Sequence, residues 1–249
     1  MLTKDTAICI RVLDYSETSQ IVTFFARATG KLSAIAKGSK RPKSTFDGPI
    51  EMFSAGNIVF SDATREKLAT LTEFEQQPCF ARLGANLYGL NCCLLAAELL
   101  NQLMDEYDPH CELFDKFLQF LQDTNEQPAA NSRQRHILSL LILFQLALLN
   151  EIGLRPVLNA CANCRSHFGP EWSEVYFSSS GNGLICRDCE PNFPDKIRLT
   201  LPAANCLTNL KMVAHTDEEY LNEIEKVLVY HFTELLHRPP KMAKHVLKQ

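Results

Sequence analysis

Two Cys-x-x-Cys pairs, Cys161-Ala162-Asn163-Cys164 and Cys186-Arg187-Asp188-Cys189, constrain this chain more than any other stretch. A two-residue spacer suits a tight turn that points both sulfurs of a pair at one position. Two such pairs on a short segment make a tetrahedral thiolate cage, whose usual occupant is zinc. Two disulfides or four unligated thiols are the alternatives. The interval between the pairs slightly exceeds the ~15–20 residues usual for such a ribbon. It reads as a hairpin: Glu174-Val175-Tyr176-Phe177, a turn rich in serine and glycine ending at Gly183, then Leu184-Ile185 leading into Cys186. A metal finger inserted over residues 157–195 is expected. Four thiolates fill the coordination sphere, whereas a catalytic zinc keeps a position open, so the expected ion, one Zn(2+) per chain, is structural. His110-Cys111-Glu112 upstream superficially matches the H-x-E…P-C-x-x-C pattern of zinc deaminases. That match fails, because Ala160 and not proline precedes Cys161, and Cys186 and Cys189 would be left without a role.

A chain of 249 residues has room for one large or two to three small domains. Its net charge of −4 does not announce polyanion binding, so any such reading must rest on local clustering. Of ten cysteines four lie in the pairs, and Cys9, Cys92 and Cys93 sit inside apolar runs as small core residues of a reducing compartment. Met1-Leu2-Thr3-Lys4-Asp5 has no signal-peptide character, and the apolar run from Leu138 to Leu149 is too short to span a bilayer. A soluble cytoplasmic protein is expected.

The first part of the chain carries strand patterns. Residues 7–13, 20–26 and 31–37 alternate or run apolar, and Met52-Phe53, 57–60 and 68–74 supply further segments, with a turn at 62–65. Several short strands without a long helix predict an OB-type barrel over 1–79. From residue 80 the apolar period becomes helical, through Leu83, Leu87, Leu90 and Leu94, then Leu113, Phe117 and Leu121 after Pro109. A polar connector spans 125–131. Ser132 is placed to cap a third helix that Gly153 stops, and Thr216-Asp217-Glu218-Glu219 reads as the capping box of the last. The predicted class is α+β: an N-terminal OB-fold β-barrel, then an α-helical domain over 80–249 with the four-cysteine zinc finger inserted.

From Thr18 to Phe46 no acidic residue occurs, while Arg27, Lys31, Lys37, Lys40, Arg41 and Lys43 all do. Cations on a loop beside a barrel face can track a phosphate backbone. Phe24, Phe25 and Phe46 are either core or a stacking surface for bases. Near the other end, Arg238-Pro239-Pro240-Lys241, Lys244 and Lys248 form a basic tail, solvated or in contact with DNA. Lys37-Gly38-Ser39 is not a P-loop, since the glycine spacing is wrong.

These pieces together resemble a known family. The run from Leu13 to Thr23 (LDYSETSQIVT), that from Thr29 to Gly38 (TGKLSAIAKG) and Pro42-Lys43-Ser44 are similar to the N-terminal barrel of the bacterial recombination mediator RecO. Phe144 to Leu154 (FQLALLNEIGL) resembles its central helix, the first cysteine pair falls where that family has its zinc knuckle, and His237-Arg238-Pro239-Pro240-Lys241 resembles its ending. The resemblance implies a non-catalytic protein, associated with the nucleoid, that binds single- and double-stranded DNA and anneals complementary strands. With the partner RecR it would help load RecA recombinase onto DNA coated by single-strand-binding protein, whose acidic C-terminal tail it contacts. On that basis Arg27, Lys31, Lys37, Lys40, Arg41, Lys43, Arg238 and Lys241 are candidate DNA contacts. Arg133 and Arg135 are candidates for the acidic tail, and Cys161, Cys164, Cys186 and Cys189 for the metal. Ala28-Thr29 and Met242-Ala243 depart from the more polar or basic residues common there. The competing reading is a zinc-ribbon adaptor with little direct DNA binding.

Overall fold

A computed structural model gives the architecture and describes residues 2–41, 44, 46, 48–61, 68–77, 80–126 and 132–247. Lys43, the turn at 62–65, most of the 125–131 connector and Lys248 lie outside the described residues. The chain divides into two compact units, Met1–Ala85 with Ala97–Asn125, and Asn86–Ala96 with Glu126–Gln249.

In the first unit β1 (Leu2–Asp14), β2 (Gln20–Ala26), β3 (Gly30–Ala36), β4 (Ala55–Ser61) and β5 (Ala69–Gln77) close a barrel in the order β1-β2-β3-β5-β4. Only the β3–β5 pairing is parallel, which is the OB-type arrangement the strand pattern predicts. Closure depends on β1 pairing twice, with β4 from Leu2 to Ile8 and with β2 from Ala7 to Asp14. A register shift between Cys9 and Arg11 marks the bulge that bends it from one neighbour to the other. Met52-Phe53, expected in a strand, is instead a turn docked on that bulge: Phe53 has φ 65° and its N–H donates to Cys9 O at 2.9 Å.

Alternation along the strands fills the barrel. Val22, Phe24, Leu32, Ala34, Ile58 and Phe74 point inward, with Phe24 edge-on to Phe74 at 5.3 Å between ring centroids. Phe46, from the β3–β4 connection, joins this interior. Phe25, on the outer face of β2, packs instead against Phe114 and Phe117 of helix α2 (Cys111–Glu126). All three phenylalanines are buried, so of the two readings open from the sequence the structure selects core.

Helix α1 (Leu87–Leu103) contributes residues to both units. In the second unit α3 (Arg133–Glu151) is buried on several faces through Ile137, Leu138, Leu141, Ile142 and Phe144. The last long helix, α5 (Glu218–Leu236), turns Leu221, Ile224, Val227, Leu228 and Phe232 inward. Two expected caps differ from the structure. Ser132 occupies the N-cap position of α3 without a side-chain cap bond. The α5 N-cap is Asp217, because the preceding 3-10 turn Leu210–His215 offers Thr216 a carbonyl: its hydroxyl donates to Met212 O at 2.8 Å. Between these helices α4 (Leu201–Thr208) is capped by Thr200, whose Oγ1 accepts from Ala203 N at 3.4 Å. Among the described residues no helix is long and apolar enough to cross a membrane.

A buried polar pair joins α3 to α5: Gln145 Nε2 donates to Glu225 Oε1 at 2.9 Å. Glu225 is 1 % exposed, and burial pushes its carboxyl up to about 8 against the opposing pull of the Gln145 bond. The folded state therefore holds a proton that the unfolded chain releases near 4.5. Stability from this group is complete below about 4.5 and is lost as pH rises to about 8, at roughly 1.4 kcal/mol per pH unit. Thermal denaturation of Glu225→Gln against the native protein tests this. The variant should gain on the native chain as pH rises from 5 to 8, and parallel curves would contradict it.

Candidate metal centre and nucleic-acid interface

The four cysteines converge. Cys161, Cys164, Cys186 and Cys189 place their sulfurs within 4.8 Å of one another, and Cys164 Sγ lies 3.7 Å from Cys186 Sγ. A tetrahedron with metal–sulfur bonds of about 2.3 Å has sulfur–sulfur edges of about 3.8 Å, whereas a disulfide needs about 2.05 Å. The donor set thus fits a metal ion, and the four thiols are not disulfide-linked.

Backbone geometry builds this cage. The hairpin of β6 (Val175–Ser178) and β7 (Gly183–Cys186), joined by β8 (Ile197–Leu199), brings the second pair back to the first. Val157 lies across the hairpin end, where a Cβ on Gly183 would come within 2.4 Å of Val157 O; no side chain fits there. The first knuckle closes through Arg165 N to Cys161 O at 3.0 Å and the second through Cys189 N to Cys186 O at 3.1 Å. Asn163 Nδ2 donates to Cys189 Sγ at 3.2 Å, and Cys186 N lies 3.5 Å from Cys161 Sγ. Burial raises the Cys161 pKa, but the backbone N–H groups of Cys186, Cys164 and Asn163 outweigh it and bring the thiol down to about 7, whereas burial pushes Cys186 up to about 12 and Cys189 is also raised, so without an ion the charge gathers on one sulfur of the four.

The ribbon is seated on α5 by His231, which is 1 % exposed. Its Nδ1 lies 2.8 Å from Ser179 Oγ, and its ring meets Phe177 edge-on at 5.4 Å. Burial lowers its pKa to about 4, so the ring is neutral near pH 7. Serine, histidine and aspartate gather here without a catalytic wiring. Asp195 accepts from Ser178, from Ser180 Oγ and from Ser180 N, which fastens the β6–β7 turn and leaves the imidazole unoriented by a carboxylate.

The barrel holds the other candidate group. Lys37 and Arg41 are exposed, and neither forms an ion pair among the described residues. Gly38 adopts φ +74°, and the Arg41 side chain folds over it, 3.4 Å from where a Cβ would stand. This loop is pinned at three points to the β1–β2 turn and to the barrel rim. Lys40 N donates to Thr18 O at 3.1 Å, and Gly38 N to Ser19 Oγ at 3.2 Å. Beneath them Gln20, 4 % exposed, accepts at Oε1 from Ser39 Oγ (2.8 Å) and Ile50 N (3.0 Å), and donates from Nε2 to Ile50 O (3.1 Å). Lys40 Nζ sits 2.9 Å from the Asp14 carboxylate.

Arg27 and Lys31 stand apart from that loop. Arg27 makes a two-pronged pair with Asp115 at 2.8 Å, and that hydrogen bond raises the Arg27 pKa and lowers that of Asp115. Lys31 is half-buried and donates to Asn101 O at 2.9 Å; burial pulls its pKa down against Glu106 and Asp105. In the second unit Arg133 and Arg135 lie half-buried in the first turn of α3, and Arg238 and Lys241 are exposed beyond the end of α5. His110 is engaged by Asp108 at 3.0 Å, and the four cysteines are the one potential metal-binding group among the described residues.

If Gln20 holds the loop, Gln20→Leu leaves Ser39 Oγ and Ile50 N buried without partners. A loss of about 1–3 kcal/mol is expected, with faster amide exchange at Gly38 and Lys40. Unchanged exchange at those two amides in a folded variant would show that the loop is held by other contacts.

Comparison with known proteins gives a consistent result over the length of the chain. The family model described as Recombination protein O N terminal matches residues 1–79, and that described as Recombination protein O C terminal matches residues 85–244. DNA repair protein RecO of Rhodopirellula baltica is 30 % identical over 82 % of this chain and 73 % of its own. The RecO proteins of Bacillus subtilis and Bacillus pumilus are 30 % and 28 % identical, over 83 % and 94 % of this chain and 76 % and 89 % of theirs. An OB-type barrel followed by helices and a four-cysteine ribbon, with family models over residues 1–79 and 85–244, places the chain in the RecO family of DNA repair proteins.

Proposed function

We propose that this protein is a non-enzymatic recombination mediator that binds single- and double-stranded DNA through its barrel and anneals complementary strands. With RecR, it would help load RecA onto DNA coated by single-strand-binding protein. The observation that carries the DNA reading is the braced loop: Lys37 and Arg41, exposed and free of carboxylate partners among the described residues, stand on a rim fixed by Gln20. A cationic loop held by the barrel meets phosphates with little ordering cost. Arg27 and Lys31, engaged by Asp115 and Asn101, contribute to this surface chiefly by keeping 101–115 against the barrel. Lys43 extends the same basic run in sequence. Arg238 and Lys241 are proposed as a secondary DNA contact, and Arg133 and Arg135 as the contact for the acidic tail of single-strand-binding protein. Such a protein works in the cytoplasm at the nucleoid.

The ion in the four-cysteine cage is proposed to be zinc, held by Cys161, Cys164, Cys186 and Cys189 with no open position. Its role is to fix the ribbon fold and not to activate water. Elemental analysis should give about one zinc per chain, and Cys164→Ser should release it and destabilise the ribbon. A fully folded, metal-free native preparation would contradict this.

Oligonucleotide binding at two or more salt concentrations tests the DNA reading. Replacing Lys37 and Arg41 together with Ala should weaken single-strand binding on the order of tenfold per contact at low salt. The same change should flatten the log–log salt slope by about 1.4. Asp14→Asn should act oppositely, tightening binding by releasing Lys40 from its carboxylate. Unchanged affinity and slope in the double variant would reject the loop as the contact, and a native protein that ignored DNA while retaining protein partners would favour an adaptor.

A further inference from the structure

OB-type barrels that bind oligonucleotides commonly use the outward face of strands 2 and 3 together with the loops between strands 1–2 and 4–5. In this chain the strand face is closed by the chain itself. Phe25 packs under Phe114 and Phe117, Lys31 donates to Asn101 O, its carbonyl accepts from Tyr107 N at 2.8 Å, and Ser33 Oγ donates to Glu106 Oε1 at 3.2 Å. Bases cannot lie over Phe25, Lys31 and Ser33, the half-buried Ile21 and Ile35 nearer the basic loop offer no ring, and Phe24, Phe25 and Phe46 are core. A strand following Lys37 and Arg41 must find its aromatic partner elsewhere on the rim.

Tyr15 is 62 % exposed, beside Leu13 at 45 %. It opens the β1–β2 turn, where Tyr15 N and Ser16 N both donate to Ser19 O, at 3.0 and 3.2 Å, and Ser16 Oγ accepts from Ser19 N at 3.2 Å. The same turn is the one the basic loop grips, through Thr18 O and Ser19 Oγ, with Asp14 next to Tyr15 paired to Lys40. An exposed ring with few rotatable bonds is therefore carried on the rigid segment that also fixes the cations. A phosphate track bordered by one aromatic platform is the chemistry that takes unpaired bases, since every base has a π-face and a duplex hides its own.

Resting on the proposed DNA reading, we infer that Tyr15 is the base-stacking residue of this surface and gives it preference for single strands over duplex. Affinities of native protein, Tyr15→Ala and Tyr15→Phe for a thymidine oligonucleotide, an abasic oligonucleotide of equal charge and a duplex test this. Tyr15→Ala should lose about 5- to 150-fold on the thymidine strand with an unchanged salt slope, and nothing on the abasic strand or the duplex. Tyr15→Phe should stay within about twofold of native. In Tyr15→Trp the new indole should be quenched by the thymidine strand alone; the single native tryptophan, Trp172, is 6 % exposed. Equal losses on all three ligands, or none on the thymidine strand while the native protein binds it, overturn the assignment. Native protein that binds none of the three overturns the DNA reading itself, a different outcome from either.

Discussion

One buried amide organises the basic loop on the barrel rim. Gln20 sits at the start of β2, inside the barrel rim, and satisfies a side chain and a backbone unit from the long β3–β4 connection at once. A connection that long has no ladder of its own to hold it, and its polar backbone must find partners wherever it is buried. Because both hydrogen-bonding ends of the Gln20 amide are used there, the loop is fixed at Ser39 and Ile50. The residues between Ala36 and Arg41 then have one course to follow, over the β1–β2 turn. Bonds from Lys40 N to Thr18 O and from Gly38 N to Ser19 Oγ complete the seating that this amide begins.

The two chemically distinctive regions divide the work by electrostatics. In the ribbon four sulfurs converge on each other, an arrangement that fits a cation at its centre and, with all four bound, would leave no ligand position for a substrate. Its surroundings, His231 neutral against Ser179 and Asp195 tying the hairpin turn, hold the ribbon in place. On the barrel rim Lys37 and Arg41 are exposed without an ion-pair partner among the described residues, and only Lys40 beside them is compensated, by Asp14. Net charge near neutrality hides this contrast, since the helices carry the compensating acids.

Much of this was legible in the sequence, and the reasons differ by feature. The cysteine pairs are local and chemically unambiguous, so the ribbon could be read directly. Strand alternation carried the barrel because one face of each strand is interior, and β3 shows the cleanest case. What could not be read were partners distant in the chain. Asp115 claims Arg27 from a helix, and Asn101 and Glu106 close over Lys31 and Ser33, contacts that no spacing rule encodes. The same closure makes Phe25 core, and Tyr15, inconspicuous between Asp14 and Ser16, is an exposed ring of the β1–β2 turn. Thr216 failed as a cap for a local reason: a 3-10 turn just before it gave its hydroxyl a carbonyl to prefer. Glu225 and Gln145 could be placed on their helices by periodicity, but their mutual burial appears only once α3 and α5 are packed.

Nucleic acid on the rim that Gln20 holds would be read directly by chemical footprinting of lysines. Mild acetylation of the native protein, with and without a saturating single-stranded oligonucleotide, followed by mass spectrometry, reports each ammonium separately. Lys37 and Lys40 should be shielded by the strand while Lys211 and Lys226 keep their reactivity. Protection confined to lysines of the second unit, with Lys37 and Lys40 modified as fast as in the free protein, would contradict this.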